Sequence, residues 1–377
     1  MHKVIHSASI KSALAARGWT QDQLAVAVGE SAQVVSNWLQ GKNFPRPAKL
    51  LKLATTLQLG FDQLVMPEAD QPVIAFRKKG GAKTTDEHIH KAMAMAALLK
   101  PLVAYLPERR ALRTLLPTPT TDYALLQSAV AQVRRKLGIG PASVLRYERL
   151  IDEFRDNDAF LVPVLWGEKQ NHKNALHILL TSDKVTFVYL NLDTHLEDFK
   201  FWMAHELAHV YTPELAGKDE GEDFADAFAG ALLFPQACAD GTYAKALQAR
   251  NAAAMTQVLL DAAHEHTISL NTVYLQVQAY SQAKGLKPLP VKGRQIHAVR
   301  NSMRDGLVSR ALFAASPPDA NELIEATNHV FRSDFFVAMR QLLHEHGTGA
   351  GYLQQVLDMG LQDATALHVA LVGDSAR

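Results

Sequence analysis

Two histidines four residues apart, His205 and His209, precede two acids four apart, Glu222 and Asp226. They stand in a stretch otherwise rich in small and apolar residues, WMAHELAHVYTPELAGKDEGEDFADAFAGALLFP (Trp202 to Pro235). Residues i and i+4 share one face of a helix. The spacing therefore predicts two helices, each carrying a polar pair on an apolar face, joined by a loop that holds Pro213 and Gly217. Polar side chains set in an apolar surface cost several kcal/mol if nothing satisfies them. Ala204 and Ala208 on the first helix, and Ala225, Ala229 and Gly230 on the second, form narrow stripes that let two helix axes approach closely. The chain is thus constrained to bring these two segments together around something their polar groups share.

The chemistry of the four residues narrows what that is. His205-Glu206-Leu207-Ala208-His209 reads H-E-x-x-H, and two imidazoles converging from successive turns supply the first two ligands of a tetrahedral zinc ion. Glu222, thirteen residues after His209, would complete a His, His, Glu set with the fourth position left to water. Glu206 lies off the ligand stripe but within reach of such a water, whose proton it could take and later pass to a departing amine. Asp226 would accept a hydrogen bond from the ring N–H of His205 or of His209, and spacing does not say which. Glu206 is the only charge among the apolar flanks Trp202, Met203, Ala204, Leu207, Ala208 and Val210, which argues against coincidence. Tyr211, His264 and His266 could each donate to a developing oxyanion, but no spacing selects them, and structural roles are expected. The HEH triplets at 264–266 and 344–346 lack the i, i+4 interval and read as solvated. Cys238 reads as a small buried residue.

Composition bounds the setting. A chain of 377 residues, 48% hydrophobic and 20% charged, reads as two or three globular domains. A single cysteine excludes an intrachain disulfide and a four-thiolate zinc site. The opening MHKVIHSASIKSALAARG lacks the apolar core of a signal peptide, and no run of about eighteen apolar residues suggests a membrane span. A soluble, cytoplasmic protein is expected. With a formal net charge of +1, any affinity for nucleic acid must be local.

Such a locality exists at the front. Residues 8–65 read as short helices punctuated by Gly18, Gly29 and Gly41, with Thr20 and Ser31 as N-caps. Two helices joined by a short turn at Gly29 form a helix-turn-helix arrangement, whose second helix enters the major groove. That places Gln33 and Asn37 towards base edges, Gln21 on a phosphate, and Lys42 and Arg46 on the backbone beyond. Residues 1–66 hold seven basic side chains against three acids, a balance of +4. Arg77, Lys78, Lys79 and Lys83 add to it in the following connector. Thr20-Gln21, Leu24-Ala25, then Ser31, Ser36, Trp38 and Gly41 with a proline after them, resemble the Xre, Cro/cI-like DNA-binding domain. A helical bundle used for protein contacts is the plainer alternative.

Beyond the connector, HKAMAMAALLK, YALLQSAVAQVRRKLG and SVLRYERLIDEFRD read as helices. AFLVPVLW, ALHILL and VTFVYLNL read as strands bounded by the turns QNHKN and TSDK. Helices then continue to the end, broken near LKPLPVKG and ASPPDA. The reading is mainly α with a small β-sheet, an α+β class. Its divisions are 1–67 (helix-turn-helix), 68–120 (connector with a basic segment and a helix), 121–285 (the zinc-motif domain with about three strands) and 286–377 (a helical region of unassigned role).

H-E-L-A-H followed by E-D-F-A-D-A-F-A-G-A-L-L-F-P is similar to the ImmA/IrrE metallopeptidases, many of which carry an Xre-type domain in front; the connector IAFRKK resembles a short segment found there too. The resemblance covers about residues 8–285. It implies a gluzincin-like zinc peptidase core in which His205, His209 and Glu222 bind Zn2+ and Glu206 is the general base. It also implies regulatory proteolysis: cleavage of a partner Xre-type repressor, encoded nearby, that derepresses stress-response or phage-defence genes. DNA, operator or single-stranded, is an expected second partner, and self-association is possible for such a chain. Two other readings stay open. In one, a DNA-binding transcriptional regulator carries a purely structural zinc site. In the other, the front domain docks the similar domain of the repressor.

Overall fold

The computed structural model describes residues 3–67, 72–75, 86–107, 115–167, 175–302, 306–315 and 317–373. The basic residues Arg77, Lys78, Lys79 and Lys83 and the QNHKN turn lie outside them. By internal contacts the chain divides into two units, one of the residues up to Pro72 together with Leu180–Lys184, the other of the remainder.

Local chemistry sets the first unit. Helices α1 (Ser7–Arg17) and α2 (Gln21–Val28) end at Gly18 and Gly29, whose φ of 63° and 69° place them in the left-handed region where only glycine is unstrained. Thr20 opens α2 with a capping box completed by Gln23, and Ser31 caps α3 (Ala32–Leu39). Pro47 starts α4 (Pro47–Leu57), and a single turn, α5 (Phe61–Leu64), follows. Ile10, Leu24, Val28, Val35, Leu53 and Leu64 close one apolar core, each with 1% exposure or less. A two-stranded antiparallel ribbon, absent from the sequence reading, joins the two ends of this unit: β1 (Lys3–Ile5) pairs with β2 (Val65–Pro67), Ile5 opposite Val65.

The second unit is built round a four-stranded sheet. Its strands are β3 (Val73–Ala75), β4 (Ala159–Val164), β5 (Ala175–Leu180) and β6 (Val185–Asn191), in the order β3-β5-β6-β4. β3 pairs antiparallel with β5, and β4 parallel with β6. Only Thr181–Lys184 separate β5 from β6, too few for a crossover, so these neighbours form a hairpin. The expected three strands are present, and β3, from the connector, adds a fourth at the edge. Every residue of β4, β5 and β6 is buried, so the sheet is covered on both faces. That is why these strands read as continuous apolar runs rather than alternating ones.

Helices surround it: α6 (Asp86–Leu99), continued by a 3-10 turn at Lys100–Tyr105, α7 (Tyr123–Lys136) and α8 (Tyr147–Asp156). The helix expected from Ser143 starts only at Tyr147. The carbonyls of Gly140 and Ser143 are taken by the guanidinium of buried Arg134, which holds this stretch as a loop. After the sheet come α9 (Leu196–Tyr211), α10 (Asp219–Leu233), α11 (Gln236–Leu247), α12 (Ala252–His266) and α13 (Leu270–Ala283). The remaining helices are α14 (Gly293–Ser302), α15 (Val308–Leu312), α16 (Ala320–Glu325), which runs on into a π turn at Ala326–Val330, α17 (Phe335–His346), α18 (Ala350–Leu357) and α19 (Leu361–Val372). The protein is therefore mainly helical with a small mixed sheet. Among the described residues no helix is long and apolar enough to cross a membrane.

Candidate metal centre

α9 packs on β6 along one side and on α10 along another. Every residue from Trp202 to Tyr211 is buried, so its polar positions have nowhere to go but inward. The alanines of both stripes, Ala204, Ala208, Ala225 and Ala229, are all 0% exposed, whereas Gly230 turns towards α13, where a Cβ would lie 2.5 Å from the Gln276 side-chain nitrogen. Two buried cations pin the pair from outside. Lys200 of α9 donates to the His266 carbonyl at 2.5 Å. Arg134 of α7 donates to the Leu232 carbonyl of α10 at 2.7 Å. Burial lowers the Lys200 pKa to about 8.

The loop between the helices turns tightly. Thr212 closes α9 through its hydroxyl, which donates to the Ala208 carbonyl at 2.8 Å. Gly217 adopts φ +77°, with β3 so near that a Cβ there would lie 3.0 Å from the Ile74 carbonyl oxygen. At Gly221 a Cβ would stand 2.0 Å from the Leu215 carbonyl oxygen, a distance no side chain tolerates. Gly221 therefore lets the loop fold onto the first turn of α10, which carries Glu222. Gly221→Ala should push that turn away from α9, lowering stability by about 1–3 kcal/mol and weakening metal binding at least tenfold. Thermal melts and a competitive chelator titration would check both.

The side chains converge. The Nε2 atoms of His205 and His209 lie 3.2 Å apart. Glu222 places Oε2 3.4 Å from His205 Nε2 and Oε1 3.2 Å from His209 Nε2. One ligand atom from each of the three falls within 4.8 Å of the others. Asp226 places Oδ1 2.9 Å from Nδ1 of His205. With Nδ1–H donating to Asp226, a neutral His205 would turn a bare Nε2 towards His209 and Glu222. The histidines are 0% and 1% exposed, yet both oxygens of Glu222 and Nδ1 of His209 lack any hydrogen-bond partner. Buried polar atoms are rarely left so. A cation between two imidazole nitrogens and a carboxylate answers the shortfall at the ligand side, and the donor set suits zinc. These residues fit the ion that the sequence pattern suggests.

Electrostatics in the metal-free state point the same way. Burial alone would lower the His205 pKa, but Asp226 and then Glu222 outweigh it and raise it to about 9. Burial likewise favours the neutral Glu222, and the two imidazoles reverse this, drawing its pKa down to about 2. His205, ordinarily at 6.5, then contributes stability fully present below pH 6.5 and lost as pH rises through 9. Glu222, ordinarily at 4.5, contributes above pH 4.5 and loses this as pH falls through 2. In chelator the melting temperature should decline between pH 6.5 and 9, by the equivalent of a few kcal/mol. Saturating zinc should abolish the decline by replacing the proton. A decline unchanged by zinc would show that the cation sits elsewhere.

Glu206 is 2% exposed, off the ligand set, with Oε2 unpaired. Opposite it stands a residue the sequence reading passed over. His177, in the middle of β5, is 0% exposed and places Nδ1 3.4 Å from Glu206 Oε2. Its ring meets that of His209 edge-on at 5.5 Å, and burial lowers its pKa. The signal was present, a lone imidazole in an apolar strand, ALHILL.

The weaker candidates lie apart from this convergence. Tyr211 is buried against Phe228, with the Lys136 ammonium over its ring, and burial raises its pKa far up. His264 is exposed. His266, expected to be solvated, is instead 5% exposed, its ring edge-on to Phe234 at 5.0 Å. Cys238 is buried, as expected, and burial raises its thiol pKa to about 11.

In the first unit, Gln21 opens α2 and is exposed, as are Gln33, Lys42 and Arg46. Gln33 and the half-buried Asn37 share one face of α3, the Gln33 amide donating to Asn37 Oδ1 at 3.1 Å. Not all the basic residues counted there are outward charges. Lys49 donates to the Val28 and Gly29 carbonyls and pairs with Glu30 at 2.9 Å, bracing the turn between α2 and α3. Arg17 is engaged by the Thr56 carbonyl at 2.6 Å.

Compared with known proteins, residues 10–64 match the helix-turn-helix family. No curated protein matches the chain. The N-terminal unit is thus a helix-turn-helix domain, which supports DNA binding and a possible regulatory role.

Proposed function

We propose that the chain is a zinc-dependent endopeptidase that cleaves a partner Xre-type repressor, with DNA bound through its own helix-turn-helix domain. One observation carries the reading: His205, His209 and Glu222 bring ligand atoms within 4.8 Å of one another, beside a buried carboxylate, Glu206, that is not needed to hold a metal. The likeness of the two motifs to ImmA/IrrE metallopeptidases with their gluzincin-like core, and the helix-turn-helix match, point to regulatory proteolysis in stress or phage defence. When bound, the cation supplies Lewis acidity, polarising a carbonyl and acidifying a water.

The chain's own groups do the rest. Asp226 fixes the His205 tautomer. Glu206 takes a proton from the attacking water as the carbonyl carbon gains its oxygen. It then returns that proton to the amide nitrogen as the C–N bond breaks, so that acid and amine products leave balanced. The test mixes the purified chain with the helix-turn-helix repressor encoded beside its gene. Cleavage should appear with stoichiometric zinc, disappear in chelator and return on zinc addition. A repressor left intact by the zinc-loaded protein, with or without single-stranded or operator DNA, would defeat the reading.

A second reading has its own support. His205, His209 and Glu206 are no more than 2% exposed, so solvent has little access to the cluster. On that reading the chain is a DNA-binding regulator whose metal only holds α9 to α10. Zinc removal would then lower stability and operator binding while no substrate is cut.

A further inference from the structure

His177 has no place in the ligand set, yet nothing about β5 calls for it. The residues around it in the strand, Leu176, Ile178 and Leu179, are 2% exposed or less. An apolar side chain would fill the same space at no electrostatic cost. An imidazole there, with neither ring nitrogen hydrogen-bonded, costs several kcal/mol unless something repays it. The carboxylate oxygen nearest its Nδ1, Glu206 Oε2, is itself buried and without a hydrogen-bond partner. Two orphaned groups 3.4 Å apart are a bond in waiting, and catalytic hydrogen bonds often stand long in the resting protein.

The direction of that bond follows from chemistry. A neutral imidazole carries one N–H. Placed on Nδ1, it donates to Glu206 Oε2; placed on Nε2, it leaves two lone pairs facing each other at Nδ1. His177 is also anchored as few side chains are, opposite Ala75 of β3 and between two hydrogen-bonded strands. We infer that His177 is a positioning residue for Glu206: its Nδ1–H grips Oε2 from the sheet and turns the other carboxylate oxygen towards the metal-ligand cluster. This rests on the peptidase reading for its purpose, but the bond itself is testable without it.

The full chain, labelled with 15N in its histidines, reports the tautomer in both the metal-free and the zinc-loaded protein. The His177 resonances are those that vanish in His177→Asn. An Nδ1–H tautomer, perturbed by Glu206→Gln, is the expected result. An Nε2–H tautomer, or a His177 signal indifferent to Glu206→Gln, overturns the proposal. Activity on the neighbouring repressor adds a second readout. His177→Leu should lower kcat about 10- to 100-fold with KM within twofold. Its zinc affinity, by competition with a chromogenic chelator, should stay within threefold of wild type. His177→Asn, which keeps an N–H near the Nδ1 position, should recover most of the loss. A His177→Leu protein with wild-type kcat, or one whose zinc affinity falls more than tenfold, refutes a positioning role. If the wild type cuts nothing, the peptidase reading falls, and the tautomer alone decides whether His177 holds Glu206.

Discussion

Glu206→Gln is expected to lower kcat for repressor cleavage by about 10²–10⁴-fold and to leave zinc content unchanged. The glutamine keeps the volume of the buried side chain, so α9 and its packing are retained. None of the three metal ligands is touched, because Glu206 lies outside the set formed by His205, His209 and Glu222. What is lost is an acceptor that can take a proton from water, since a neutral amide oxygen is far too weak a base. The pairing of lost turnover with retained metal separates this from a ligand variant such as His209→Ala, which should lose both. Rate constants from single-turnover digests and metal analysis of the same preparations would check it. Wild-type cleavage by the glutamine variant would remove Glu206 from the chemistry.

Ending the chain after residue 285 should abolish folding of the second unit. Residues 286–377 read from the sequence as a region apart, but they supply a wall of the sheet. α17 packs on β4, and Phe335 meets Phe187 of β6 edge-on at 6.3 Å. The Tyr189 hydroxyl donates to the Val356 carbonyl, and the Trp166 indole to the Leu357 carbonyl, both at 3.0 Å. The backbone of 306–309 bonds the segment Leu192 to Leu196 that leads into α9. Each large apolar side chain brought back into water costs about 1.5–3 kcal/mol. Phe187, Phe335, Phe336, Met339 and Leu342 are all 1% exposed or less, and losing such a layer approaches the whole stability of an ordinary domain, about 5–15 kcal/mol. The expected product is insoluble, or soluble with no cooperative melt beyond that of the helix-turn-helix unit. A truncated protein that melts cooperatively and binds one zinc would show that the sheet is closed by other means.

The cluster of His205, His209 and Glu222 and the helix-turn-helix were readable because their information is local. A pair four residues apart on one helix, a capping hydroxyl, a glycine at a helix end: each is written within a few positions. What escaped the sequence was set by distance. β1 and β2 are three residues each, too short to show alternation, and they pair ends of a unit some sixty residues apart. His177 lies twenty-nine residues before Glu206 and meets it only because α9 packs on the sheet that holds β5. Whether Asp226 served His205 or His209 depended on the rotation of α10 about its axis, which no spacing fixes. His266 reads as solvated because it stands in a polar stretch, and only the fold brings Phe234 against its ring.

The amide bridge between Gln33 and Asn37 bears on how α3 could discriminate a base pair. With one donor and one acceptor already committed to each other, the two side chains present a single rigid edge, glutamine oxygen on one side and asparagine NH₂ on the other. Were α3 to enter a major groove, that acceptor and that donor would complement the N6 amino group and N7 of an adenine. Neither residue then speaks for itself. Replacing one frees the other to rotate, so the effects of the two on sequence preference will not add.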